Sequence, residues 1–157
     1  MATVQKITPF LTFAGQAEEA ATLYVSLFDD AKILHVQPGP DGKAMVVRFQ
    51  LAGQAFLALN AGGPNFAFTD GVSFLVDCKD QAEVDHFWNA LVADGGKEQD
   101  CGWCQDRFGL RWQIVPQQFF QLLSGGDGAQ ASRVMGAMMK MKKFIVADLE
   151  AAASATS

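Results

Sequence analysis

Residues 101–116 read CGWCQDRFGLRWQIVP, and the organisation of the chain turns on how this stretch is read. Asp106-Arg107-Phe108-Gly109 forms a tight reversal, because Gly109 supplies the backbone freedom that a hairpin end requires. From Leu110 to Val115 the chain reads Leu/Arg/Trp/Gln/Ile/Val, until Pro116, which has no N–H to give a ladder, ends the strand. Alternation of this kind predicts Trp112 and Ile114 against a helix layer, with Arg111, Gln113 and Val115 on the opposite face. An Arg and a Gln buried on that second face would need hydrogen-bonding partners, so it is the face on which to look for a ligand.

Working outward, residues 7–13 read as a strand. Residues 16–28 read as an amphipathic helix, with Ala20, Leu23, Tyr24 and Leu27 at i, i+3, i+4 and i+7. Strands are expected at 31–37, 44–51 and 54–60, separated by the turn-rich PGPDGK and by Ala52-Gly53. The sequence AGGPNFAFTDG at 61–71 is linker chemistry. The pattern then restarts with a strand at 72–77 and a helix capped by Asp80. That helix carries Val84, Phe87, Trp88 and Leu91, the first helix's spacing repeated at a shift of 64 residues. Residues 97–104 read as one strand, and the hairpin closes the second copy.

The chain is therefore an α+β protein of two βαβββ modules, about 5–60 and 71–116, within a single domain spanning residues 1–157. One short helix cannot cover a four-stranded sheet. The sheets are therefore expected to pair, within a chain or across a dimer, and to curve into an open barrel whose concave side faces away from the helices. A C-terminal helical extension follows at 117–152: a short helix at 117–123, a breaker at 124–128 and one longer helix at 130–152. The stripe Val134, Met138, Met141, Ile145 and Leu149 on that helix reads as core or dimer packing.

At 157 residues, 50% hydrophobic and only 18% charged against a usual value of about 25%, the chain can bury roughly 70% of its unfolded surface. A net charge of −5 argues against nucleic-acid partners, which need clustered Lys and Arg. The one basic cluster, Lys140, Lys142 and Lys143, reads as a solvated helix end. No apolar run approaches the roughly 20 residues of a membrane span, and no leader pattern opens the chain. Three cysteines make a poor disulfide framework, which fits a reducing, cytoplasmic setting.

The hairpin, the opening TPFLTFAGQAEEAATLYVSLF at 8–28 and the tail RVMGAMMKMKKFIVADLEAA at 133–152 together resemble the PhnB-like branch of the glyoxalase/bleomycin-resistance/dioxygenase group, the vicinal-oxygen-chelate superfamily. Members often carry the name 3-demethylubiquinone-9 3-methyltransferase. The resemblance implies paired βαβββ modules and, in metal-dependent relatives, four ligands on the inner sheet faces. Carried over by motif, those positions fall at Thr8, at Gly71 or Ser73, at Leu57 give or take a residue, and at Gln113. None is His, Asp or Glu, so the family's metal is not expected.

Other constellations are weak. His35 lies on a strand near a turn and His86 on a helix, and both read as surface or satisfied structural residues. CGWC spells a dithiol motif, but it sits in a strand rather than at a helix N-terminus, so Cys101 as a single thiol beside Trp103 is the better reading. The methyltransferase name finds no glycine-rich loop between a strand and a helix, and no Ser/His/Asp set or close carboxylate pair is legible. What remains is an apolar cavity with scattered polar groups: Thr8, Thr12, Arg48, Asn60, Ser73, Trp103, Arg111 and Gln113. An inward Arg48 or Arg111 would imply an anionic or oxygen-rich ligand. The expected function is binding of a small molecule by a homodimer with no metal and no cofactor. One alternative is a lyase, transferase or dioxygenase acting on an aromatic or oxygen-rich metabolite. The other is a structural or partner-binding dimer.

Overall fold

The computed structural model describes residues 5–63 and 66–155, in two compact units, residues 1–67 and 68–157. In the first unit the order is β1 (Phe10–Phe13), α1 (Ala17–Leu27), β2 (Lys32–Pro38), β3 (Ala44–Leu51) and β4 (Gln54–Asn60). The strands form one sheet in the order β1-β4-β3-β2, with β1 parallel to β4 and the other pairs antiparallel. Period-two alternation sorts its faces. Leu11, Phe13, Val47, Phe49, Leu51, Phe56 and Ala58 are buried, and α1 packs on this sheet through Ala17, Ala20, Ala21 and Tyr24. Phe49 stacks on Phe56 with centroids 5.3 Å apart and meets Tyr24 at 6.3 Å. Each such ring contributes roughly 1.5–3 kcal/mol through burial.

The second unit repeats the plan with β5 (Phe74–Cys78), α2 (Gln81–Val92), β6 (Lys97–Glu98), β7 (Trp103–Gln105) and β8 (Arg111–Pro116), in sheet order β5-β8-β7-β6 with β5 parallel to β8. Val76, Cys78, Cys104, Trp112 and Ile114 are buried, as are Val84, Phe87, Trp88 and Leu91 of α2. Asp80 caps α2 by accepting a hydrogen bond from Glu83 N at 2.9 Å. The reversal before β8 is held by the buried Asp106. One of its carboxylate oxygens accepts from Phe108 N at 2.9 Å and Leu110 N at 3.1 Å, and the other accepts from Trp112 Nε1 at 2.9 Å. Gly109, at φ 91°, closes the turn by donating to Asp106 O.

Two expectations are corrected. Residues 97–104 are not one strand. Gln99 N donates to Trp103 O and Trp103 N to Asp100 O, which turns the chain at Cys101 (φ 60°) and Gly102 (φ 83°) and splits the stretch into β6 and β7. Nor is 130–152 one helix. After α3 (Gln117–Ser124) come α4 (Gly128–Met138) and α5 (Val146–Ser154), with residues 139–145 between them. The helix stops because its tail has other partners. Met141 O and Lys142 O accept from Cys101 N and Gly102 N, each at 2.8 Å, and Phe144 is buried against Phe119 with centroids 5.0 Å apart. Gln81 of α2 clamps the start of α5 by donating to Phe144 O at 2.9 Å and accepting from Val146 N at 2.7 Å. Of the expected linker, residues 64 and 65 lie outside the described residues, and residues 66–73 run without helix or strand. Among the described residues no helix is long and apolar enough to cross a membrane.

Candidate functional site

In each unit the sheet has a face turned away from its helix, and the strand registers say which residues share it. In the first unit Phe10 pairs with Leu57 and Leu57 with Arg48; in the second, Leu75 pairs with Gln113 and Gln113 with Trp103. Phe10 and Leu75 are therefore equivalent positions, as are Leu57 and Gln113. Two residues back along the strand, Thr8 matches Ser73, so of the two expected alternatives Ser73, not Gly71, is the counterpart.

The first unit presents Thr12 half-buried and Arg48 exposed on β1 and β3, and Thr8 half-buried just ahead of β1. Asn60 has a different duty: its Oδ1 accepts from Ala17 N at 2.8 Å at the start of α1, and its Nδ2 donates to Ala44 O at 2.9 Å. This supplies the cap that Gln16 does not provide. In the second unit Ser73, Trp103, Arg111 and Gln113 come together. Gln113 Nε2 donates to Ser73 Oγ at 2.9 Å, and Trp103 lies beside Gln113 on β7.

Arg111 carries a charge on this face, and its side chain is only 16% exposed. It already has partners. Nη1 donates to Gly109 O at 2.7 Å and Phe68 O at 3.1 Å, and Nε donates to Asp70 Oδ1 at 2.7 Å. The same oxygen accepts from Gln99 Nε2 at 3.1 Å. These hydrogen bonds, that from Arg111 first, hold the Asp70 carboxyl below its ordinary value. The carboxylate that Arg111 meets here comes from the connecting segment of its own chain. Asp70 and Gln99 are not singled out by the sequence, although a half-buried arginine signals that some acceptor must be near, and Lys142 reads there only as part of a solvated helix end. With Glu98, Asp100 and Trp103 they line an open cleft of about 410 Å³. Lys142 Nζ pairs with Asp100 at 3.3 Å, and Glu98 accepts from Trp88 Nε1 at 3.0 Å.

The donor set does not suit the metal of metal-dependent relatives. Thr8, Leu57, Ser73 and Gln113 offer hydroxyls, an amide and a hydrocarbon where a transition metal needs imidazole, carboxylate or thiolate. Among the described residues no group of three His, Cys, Asp or Glu side chains is gathered to hold an ion. The thiols do not supply one: Cys78 and Cys104 are buried among apolar groups, which pushes each pKa up to about 12, and Cys101 lies in the turn. Each sheet has a single parallel strand pair, so neither is the doubly wound parallel sheet on which a nucleotide cofactor would sit.

The model of the family described as 3-demethylubiquinone-9 3-methyltransferase matches residues 5–115. The PhnB protein of Bacillus cereus, which carries the same methyltransferase name, is 32% identical with a TM-score of 0.67, the match covering 71% of this chain and 99% of that one. A Pseudomonas aeruginosa protein shares the fold at 23% identity and a TM-score of 0.59, over 72% and 98% of the two chains. So does the fosfomycin resistance protein FosX of Listeria monocytogenes, solved with Mn(II) and sulfate, at 14% identity and a TM-score of 0.50, over 72% and 92%. No curated protein matches. By its family match, its two βαβββ units and its likeness to the Bacillus protein, the chain belongs to the PhnB-like family described as 3-demethylubiquinone-9 3-methyltransferase.

Proposed function

We propose that this protein binds a small oxygen-bearing molecule on the helix-free face of its second unit and does so without a metal. The observation that carries this reading is the Gln113–Ser73 hydrogen bond of 2.9 Å. At the two positions of this unit where metal-dependent kin place ion ligands, the chain holds an amide and a hydroxyl bonded to each other. Such groups recognise carbonyl, hydroxyl or carboxylate functions by hydrogen bonding. Trp103, half-buried on the neighbouring strand, offers a flat apolar surface for the body of the ligand. A hydrogen-bonding surface of this kind selects by shape and polarity and needs no Lewis acid.

The test is a thermal-shift screen of metabolites on the full chain, run beside elemental analysis of the purified protein. A ligand at 100 times its Kd stabilises by about 2.7 kcal/mol, which raises Tm by roughly 5–11 °C in a chain of this size. The expected result is stabilisation that survives chelator and is lost in Gln113→Ala. Stoichiometric Ni, Zn, Mn or Fe, with stabilisation abolished by chelator, would overturn the reading in favour of a metal-dependent lyase, transferase or dioxygenase.

A further inference from the structure

We infer that Asp70 stands in for the carboxylate of the ligand, and that the second unit takes a small monocarboxylate with a planar apolar body by exchanging it for Asp70 at Arg111. The inference rests on the reading of this face as the binding surface and names the class of ligand. Two donors from different strand regions, Arg111 Nε and Gln99 Nε2, converge on one point, and Asp70 Oδ1 occupies it at 2.7 and 3.1 Å. A seat of this kind suits a carboxylate, because a charged N–H and an amide N–H together favour an anionic oxygen.

The present occupant is held lightly. Asp70 lies in the segment without helix or strand that precedes β5, its side chain is 63% exposed, and both donors meet the same oxygen. Releasing an exposed carboxylate to water costs little, whereas Arg111, largely covered, keeps an anion in either state. The seat opens onto the cleft of about 410 Å³ lined by Trp103, which gives a planar body room beside the indole. Glu98 and Asp100 line the same cleft and oppose a second negative charge, although Trp88 and Lys142 engage each of them once. A monoanion is therefore favoured over a dianion.

The probe is benzoate, with benzamide as its neutral isostere and phthalate as its dianion. Wild type and Asp70→Asn are titrated by NMR, following the Arg111 Nε–H and the Trp103 indole resonances. The inference expects Asp70→Asn to bind benzoate at least tenfold more tightly than wild type, with the Arg111 Nε–H moving and benzamide affinity unchanged. Phthalate binds no better than benzoate, and Gln99→Ala lowers benzoate affinity in the Asp70→Asn background. Equal benzoate affinity in the two proteins, or an equal gain for benzamide, overturns the exchange. If benzamide and benzoate then still move Ser73, Trp103 and Gln113, the face remains a binding surface. If neither they nor any compound of the metabolite screen move those residues, that reading fails as well.

Discussion

Asp106 shows what a single residue does in this fold. The sequence marks it only as the start of a reversal, yet its buried carboxylate joins three donors of the hairpin and of β8. In Asp106→Asn one oxygen can still serve the two backbone donors, but the new NH2 faces the Trp112 indole N–H. A buried donor without an acceptor costs about 1–3 kcal/mol, so urea unfolding of this variant should show a loss of that order. The cysteines divide in the same local way. Cys78 and Cys104 are fully covered and Cys101 is partly exposed, so the native chain should react with one equivalent of a thiol reagent at pH 8 and with three after denaturation. Burial raises the two covered thiols to about 12 from an ordinary 9.0. Their protonated state therefore adds stability in full below pH 9, and that contribution is lost as pH rises toward 12. Alkaline melts should show Tm falling across that window, and falling less in Cys104→Ala relative to its own value at pH 8.

At the scale of the element, the turn between β6 and β7 decides where the C-terminal extension goes. Gly102 has φ 83°, and a Cβ placed on it would lie 2.3 Å from Phe144 Cε2. Gly102→Ala must therefore shift the Phe144 ring as well as adopt a disfavoured backbone angle. Overpacking costs about 1–3 kcal/mol and the left-handed conformation about 1–2 kcal/mol more. A double-mutant cycle separates the two contributions: in a Phe144→Ala background Gly102→Ala should cost only the backbone part. Additivity between the two sites would show that the ring is not what Gly102 makes room for. The turn was hidden in the sequence because CGWC fits a strand as well as a reversal, and only the main-chain bonds from Cys101 and Gly102 to residues 141 and 142 select between them.

At the scale of the molecule, the family match ends at residue 115 and the Bacillus protein is covered almost whole by 71% of this chain, but the second unit does not end there. Phe119, Val134, Phe144 and Leu149 are buried within it, and Gln81 and the turn at Cys101 bind the returning tail. A chain cut after Pro116 loses these side chains and leaves apolar surface open. It should melt without a cooperative transition for residues 68–116, with their amides exchanging fast by hydrogen exchange, while the intact chain protects them. The sequence by itself determined the duplication, the helices α1 and α2, the Asp80 cap and the two faces of β8. The helices, the cap and the faces of β8 each depend on alternation, helical spacing or turn chemistry within about ten residues, which act wherever the chain lies, and the duplication is that local pattern repeated at a shift of 64 residues. The tertiary structure alone decided that Asn60 caps α1, that residues 139–145 break the last helix, and that Asp70 meets Arg111 across 41 positions. These depend on which distant donor and acceptor are brought together, and no local pattern encodes a contact whose partner is supplied by the return of the chain.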